Sequence, residues 1–308
     1  MIFVEVQWKN TDVSFKSKVI GKLLGDGSIT KQKSRKSRFQ FMHVATDYNW
    51  CNYCYLELSS ELPLNPPKHK KINDSRLLSG YSESYYVQSR TSEIITYLHA
   101  KWYPFDSKIL PFDLINSYFD LQSLAWWYMD DGHLKVENGI PRKVIFSTDS
   151  FSKQENNMLI DLLYNRYHLK FRLDKQNRLI LYDQFQIHHF LYLVTPFLHA
   201  SMYRKFLHSY SLINDFPAKR TTIHLPSSIK IQYPTKQINK TLKQLDKLIL
   251  DYKNDNFFGN YLIGSDYNVE TKPYQIIIEK ENFSKLQFLF KLTGLNYSKL
   301  VNICFELL

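Results

Sequence analysis

VIGKLLGDG, residues 19–27, and LAWWYMDDG, residues 124–132, decide how this chain is read. Each closes an apolar run of helical character: Phe15, Val19, Ile20, Leu23 and Leu24 in the first, and nearly every position of LQSLAWWYM in the second. Asp12 and Asp120 stand where a helix N-cap belongs, and the runs halt at Gly25-Asp26-Gly27 and Asp130-Asp131-Gly132. Taken singly, either is an ordinary core helix with a glycine stop. Two of them, with Asp26 and Asp131 separated by 105 residues (131 minus 26), suggest a repeated unit.

The segments after the two runs support the repeat. A basic turn, KQKSRKSR, leads to a strand-like FQFMHVAT and then to a helical DYNWCNYCYLELSSEL beginning at Asp47. In the second half PRKVIFSTD is the strand, and Ser152 with Glu155 forms a capping box before KQENNMLIDLLYNRY, so that Thr46-Asp47 pairs with Thr148-Asp149. Strands come next in both, YSESYYVQSR and LKFRLDKQNRLILY, with DKQNR as a hairpin turn. The helices TSEIITYLHAKWY and QFQIHHFLYLV then lead to Pro104 and Pro196, each with a basic residue beyond it, Lys108 and Lys205. The layout assigns residues 1–115 to a first half and 116–219 to a second. Residues 220–308 match neither, and in TKQINKTLKQLDKLILDYK the residues Ile238, Leu242, Leu245 and Ile249 mark one amphipathic helix.

Composition narrows the partners. Of 308 residues, 44% are hydrophobic and 16% aromatic, too many for a disordered chain. Forty Lys and Arg against 29 Asp and Glu leave a formal charge of +11, which attracts polyanions. No apolar run is long enough to cross a bilayer, so nucleic acid is the expected partner and a membrane is not. The start lacks a secretory or transit pattern, so the protein is expected to act where it is made, with no compartment assigned. Cys51 and Cys54 form a lone C-x-x-C without a second pair, and read as core residues on a helix. His188 and His189 read as packing or phosphate contacts rather than metal ligands.

The carboxylates carry the chemistry. Asp26 and Asp131 each sit at the negative end of an apolar helix, where both the dipole and the loss of water oppose their charge. A divalent cation is the natural candidate to compensate, since hard ions take carboxylate oxygens and the unpaired carbonyls that helix ends present. If a pseudo-twofold axis packs the two helices together, with Gly21, Gly25 and Ala125 allowing close approach while Trp126 and Trp127 point elsewhere, both acids meet at one site.

The two stretches resemble the paired motifs of monomeric LAGLIDADG homing endonucleases, over about the first 215 residues; LAWWYMDDG and the KILP stretch, Lys108 to Pro111, are similar to the branch of the yeast omega-intron enzyme. The resemblance implies an α/β (α+β) monomer of two pseudosymmetric αββαββα repeats, with antiparallel sheets forming a saddle over double-stranded DNA. It implies that Asp26 and Asp131 bind the catalytic metal, with Gly25 and Asp130 beside them; Asp130 is also placed to pair with a basic side chain. Lys108 and Lys205 are the implied basic residues near the cleaved phosphates, with Arg204 the alternative to Lys205. The expected ion is Mg²⁺, with Mn²⁺ as substitute. The implied reaction is in-line phosphodiester hydrolysis of both strands, in service of intron mobility. Lys31, Lys33, Arg35, Lys36 and Arg38, and Lys68, Lys70 and Lys71 with His69, border the sheets and are expected to bind DNA phosphate. The competing expectation on the same fold is an RNA maturase that binds intron RNA, with or without cleavage.

Overall fold

A computed structural model describes residues 7–207, 220–262 and 270–308. Helix α1, Val13–Leu24, is capped by the Asp12 carboxylate, which accepts from the Phe15 N–H at 3.1 Å. After it come β1 (Ser28–Thr30), β2 (Arg38–Val44), α2 (Tyr48–Leu58), β3 (Lys68–Asn73), β4 (Tyr81–Gln88) and α3 (Glu93–Trp102). The strands form one antiparallel sheet in the order β1-β2-β4-β3. The short helix α4, Phe112–Tyr118, which the sequence pattern does not signal, delivers the chain to α5, Leu121–Asp131. The second half then repeats the plan with β5 (Gly132–Glu137), β6 (Ile140–Phe146), α6 (Lys153–Tyr167), β7 (Arg172–Leu173), β8 (Leu179–Leu181) and α7 (Gln184–Val194). Its sheet order, β5-β6-β8-β7, is the same arrangement. The Asp120 and Ser152 capping boxes form, and Asp174 closes the DKQNR hairpin against Arg178.

The repeat's internal alignment needs correction. Ser28 pairs with Gln40 and His133 with Ile145, and the following helices start at Tyr48 and Lys153. Each of these equivalences differs by 105 residues, so Asp47 corresponds to Ser152 and His43 to Thr148; Thr46-Asp47 does not correspond to Thr148-Asp149. A 3₁₀ turn over Ala45–Asp47 takes up the first half's chain where the second half has a looser bend, which misaligns the matching Thr-Asp pairs.

Helices α1 and α5 pack along their length and fuse the halves. Val19, Ile20, Leu23, Leu24, Leu124, Ala125, Trp126 and Trp127 belong to one buried core that draws on both halves. The approach is closest at Gly21, where an added Cβ would stand 2.5 Å from the Ser123 carbonyl oxygen and 2.7 Å from Trp126 Cβ. Trp126 therefore lies at the interface, contrary to the expectation that it points elsewhere. Its ring passes across to Trp50 of the first half, 5.2 Å between centroids, whereas Trp127 turns into its own half against Phe146. At the helices' N-terminal ends a polar ladder sets the register: Ser14 Oγ donates to Gln122 at 2.7 Å, and Ser123 Oγ to the Ser17 carbonyl at 2.8 Å.

The C-terminal region builds a second core. Strands β9 (Thr221–Pro226) and β10 (Thr271–Ile276) pair antiparallel, flanked by α8 (Pro234–Thr241), α9 (Leu245–Lys253), α10 (Phe257–Tyr261), α11 (Lys280–Thr293) and α12 (Tyr297–Glu306). The single amphipathic helix expected over residues 235–253 is two helices joined by a 3₁₀ turn, Leu242–Gln244, yet Ile238, Leu242 and Leu245 are fully buried as the stripe requires. This core meets the rest of the chain at α7 through Phe185, which stacks on Phe258, and through His188, whose Nδ1 lies 3.1 Å from the Leu292 carbonyl. His188 and His189 are thus packing residues, and Cys51 and Cys54 are buried free thiols.

Replacing Gly21 by Val forces a branched side chain onto the Ser123 backbone and separates the two helices. A loss of about 1–3 kcal/mol is expected from overpacking of this kind, read from urea or guanidinium unfolding. Unchanged stability in Gly21→Val would contradict the tight helix packing.

Candidate active site and nucleic-acid interface

Because α1 and α5 run side by side, their C-terminal ends arrive together and carry Asp26 and Asp131 with them. The two acids are not equivalent. Burial opposes the charge of Asp26, but a hydrogen bond from His43 and the nearby positive charges of His43, Lys22 and Lys205 override it, holding this carboxyl below its ordinary value. His43 Nδ1 is 3.2 Å from Asp26 Oδ2. Asp131 has no such donor. Burial, reinforced by the charges of Asp26 and Asp130, pushes its carboxyl up to about 8, against the pull of Lys108 and Lys205.

Asp130 occupies the position that corresponds to Gly25, and the two touch: a Cβ on Gly25 would be 2.5 Å from Asp130 Cβ. The side chain of Asp130 is inaccessible to solvent and so is that of Lys22, which it pairs with at 2.9 Å. Both carboxylate oxygens are engaged, one accepting from Lys22 Nζ and Trp50 Nε1 (2.8 Å), the other from Lys22 Nζ (3.0 Å) and the Asp26 backbone N–H (3.1 Å). Lys22 Nζ also lies 2.9 Å from His43 Nε2; burial opposes its charge, but its neighbours together, Asp130 foremost and Asp26 with it, hold the ammonium above its ordinary value. Asp26, His43 and Asp130 bring ligand atoms within 4.8 Å of one another, a spacing that suits a metal ion. The Lys22 ammonium already supplies a cation between His43 and Asp130.

Two lysines flank the acids. Lys205, in a 3₁₀ segment Ala200–Lys205, is buried, and its ammonium donates to the carbonyls of Tyr128 (2.7 Å), Met129 and Asp130 (3.3 Å), capping the end of α5. Lys108 donates to the Gly27 carbonyl at 3.3 Å, next to Asp26. Burial lowers both ammonium groups to about 8 despite the surrounding carboxylates. Arg204 is excluded from this place because its guanidinium pairs with Asp47 of the first half at 2.7 and 2.8 Å. That pair also explains why Asp47 does not cap α2.

The basic residues named from the sequence all lie on the first half. Lys31, Lys33, Arg35 and Lys36 are exposed in the β1–β2 turn, Arg38 is exposed at the start of β2, and Lys68, Lys70 and Lys71 lie along β3, an exposed edge strand. Between them a groove runs over the sheet from Asp26 past Ser28, Gln40, Met42, Tyr86 and Gln88. Gln88 links Arg38 and Gln40 by hydrogen bonds of 3.2 Å each. These uncharged polar residues, with Lys22, His43 and Trp50, are not singled out by sequence reasoning. Alternation in RFQFMHV does signal that Gln40 and Met42 share a face, whereas nothing local shows that Lys22 meets Asp130, an interaction across 108 residues.

Paired helices ending in acids, each heading a four-stranded antiparallel sheet within one chain, define a two-repeat nuclease architecture. Residues 16–189, more than half of the chain, match the LAGLIDADG DNA endonuclease family, and the chain belongs to that family. It is 28% identical over 213 residues to an uncharacterized protein of Methanocaldococcus jannaschii, covering 67% of this chain and 80% of that one. It is 25% identical over 219 residues to probable intron-encoded endonuclease 1 of Wickerhamomyces canadensis, covering 65% and 87%. The homing endonuclease I-WcaI, solved bound to its DNA recognition sequence, has the same fold, with a TM-score of 0.57 at 22% identity over 67% of this chain and 92% of that one.

Two outcomes are expected of the site. Asp130→Ala strands a buried Lys22 ammonium, and an unfolding loss of about 3–5 kcal/mol is expected, largely recovered when Lys22→Met is added; a loss below about 1 kcal/mol would remove the pair from its structural role. For Asp131, a carboxyl raised to about 8 is destabilising once pH exceeds the unfolded value of about 4, and the penalty grows until pH 8. Asp131→Asn therefore raises the Tm of the metal-free protein at about pH 7.5, and the advantage shrinks to nothing near pH 4. The opposite trend in a pH series of thermal melts would refute the charge repulsion.

Proposed function

We propose that this protein is a site-specific homing endonuclease that makes a divalent-metal-dependent double-strand break in a long DNA target, in support of intron mobility. The observation that carries this reading is the convergence of Asp26 and Asp131 at the ends of two packed helices. Burial first, and the neighbouring charges of Asp26 and Asp130 second, raise the Asp131 carboxyl to about 8, so its ionised form lacks compensation. A hard divalent cation fits that deficit, and oxygen-only donors favour Mg²⁺, with Mn²⁺ as substitute, over softer ions. Asp26 and Asp131 would hold it, with the Gly25 carbonyl beside them, while Asp130 acts from beneath by fixing the Asp26 backbone. When bound, the cation supplies Lewis acidity for phosphodiester hydrolysis.

The chain's own residues do the remainder. Lys108 and Lys205 flank the two acids and neutralise charge on the phosphates of the two strands. Lys31, Lys33, Arg35, Lys36 and Arg38 at the β1–β2 end and Lys68, Lys70 and Lys71 on β3 track the backbone, giving affinity without sequence content. The polar groups between them, Gln40 and Gln88, meet base edges in the major groove, where an amide can bond a purine at two points. One chain supplies both halves, so the enzyme acts as a monomer on an asymmetric duplex.

The test is a cleavage assay with purified protein on a randomised duplex library in Mg²⁺, with ends read by sequencing. Double-strand breaks at one long motif are expected, lost by at least a hundredfold in Asp26→Asn and in Asp131→Asn while both variants stay folded. Undiminished cleavage in either variant, or tight RNA binding with no DNA cleavage by the parent protein, overturns the reading.

A further inference from the structure

We infer that the C-terminal region is a second DNA-binding element, which grips duplex outside the recognised site through a row of lysines along α8, the 3₁₀ turn Leu242–Gln244 and α9; this rests on the nuclease reading for its substrate. Lys236, Lys240, Lys243 and Lys247 recur at the spacing of one helical face, and all four are exposed. On the opposite face Ile238, Leu242, Leu245 and Leu248 are fully buried in the region's own core. The row thus points outward from an element with its own buried core, docked on α7.

Its charge is not spent internally. Asp246 and Glu281 are both taken by Lys285, at 2.7 Å each. Asp251 accepts from the Tyr261 hydroxyl at 2.7 Å and Asp255 from that of Tyr192 at 2.6 Å. These four acids are engaged with other partners, and among the described residues no acid forms an ion pair with any of the four lysines. The Tyr192 bond also ties the region to α7, so a ligand held by the row is held by the whole enzyme. A row of about eleven residues covers about 16 Å at about 1.5 Å per residue, roughly half a turn of duplex; of the amides within it, Asn239 is buried and the Gln237 side-chain oxygen accepts from the Gln232 and Tyr233 N–H groups. Point charges on flexible stems at this spacing suit a phosphate backbone and carry no sequence preference. Duplex DNA is favoured over RNA because the saddle already holds a long duplex, whose continuation is at high local concentration.

The experiment compares the parent protein with Lys236→Gln/Lys240→Gln/Lys243→Gln/Lys247→Gln and with the matching Lys→Arg variant. Affinity is measured by fluorescence anisotropy against salt on a duplex limited to the recognised site, on duplexes extended at either end, and on an RNA hairpin of equal charge. The parent and Arg proteins should gain at least tenfold in affinity on an extended duplex, and the Gln variant should lose that gain. Its slope of log K against log salt should fall by about 3.6, near 0.9 for each of the four phosphates no longer neutralised. Cleavage of the short duplex at saturating protein should be unchanged. Equal affinity and slope in all three proteins overturns the inference, as does a loss confined to the RNA hairpin. If the parent cuts no DNA but the Gln variant still loses its salt slope on duplex, the nuclease reading fails and this element stands; cutting with an unaltered slope is the reverse case.

Discussion

Everything in this molecule depends on how closely two helices approach. The acids at the ends of α1 and α5 form one site only because Gly21 lets the Ser123 backbone into van der Waals range, and because Gly25 leaves room for Asp130. Each apolar helix would otherwise be a plain core element. Packed together they bury a common face, and that burial is what keeps two carboxylates in a position they would leave if free to do so. The stability of the interface and the strain of the site are thus one arrangement: apolar packing along the helices offsets the electrostatic cost at their tips.

The pseudosymmetry that creates the site is broken inside it. Gly25 corresponds to Asp130, His43 to Thr148 and, at the same offset of 105, Lys22 to Trp127. The substitutions are mutually dependent. An acid at position 130 needs the cation of Lys22, and the ammonium of Lys22 needs His43, Trp50 and the ring of Phe41, 4.6 Å from its Nζ, as surroundings. The result is one acid, Asp26, steadied by a hydrogen-bonded imidazole and by its own backbone bond to Asp130, and another, Asp131, left with only the fields of two lysines. A single chain can maintain such a difference; two identical chains related by a dyad could not.

How much of this is legible in the sequence depends on the range of the interaction. The motif helices, their caps at Asp12, Asp120 and Ser152, the hairpin at Asp174 to Arg178 and the exposure of the basic runs are local, and periodicity or turn chemistry reveals them. The choice of Lys205 over Arg204 is not decidable that way, because adjacent residues in a 3₁₀ segment point differently and only the packed structure sends Arg204 to Asp47. The Lys22–Asp130 pair is hidden for a related reason. A lysine in an apolar helix reads as a solvent-facing residue, and its partner lies on the other half of the chain. The shifted equivalence around Thr46 shows the same limit in a strand, where a chance Thr-Asp match outweighs a pleat register that sequence does not display.

The flanking lysines connect this asymmetry to the electrostatics of the whole protein. A net charge of +11 draws polyanions to the surface, yet at the centre the balance is reversed, with Asp26, Asp130 and Asp131 crowded around few accessible cations. Lys108 and Lys205 stand at that boundary. In the free protein each ammonium donates to backbone carbonyls at a motif's end, which partly satisfies it but leaves it near its point of deprotonation, at about 8. A phosphate arriving above the site would strengthen the charged form of both, by Coulomb attraction and by displacing nothing that the carbonyls cannot recover from water. The same phosphate would worsen the crowding of the acids unless a divalent cation entered with it. Under the proposed function, substrate and cation would therefore be coupled through the site's own deficit, each one's binding favoured by the other's presence.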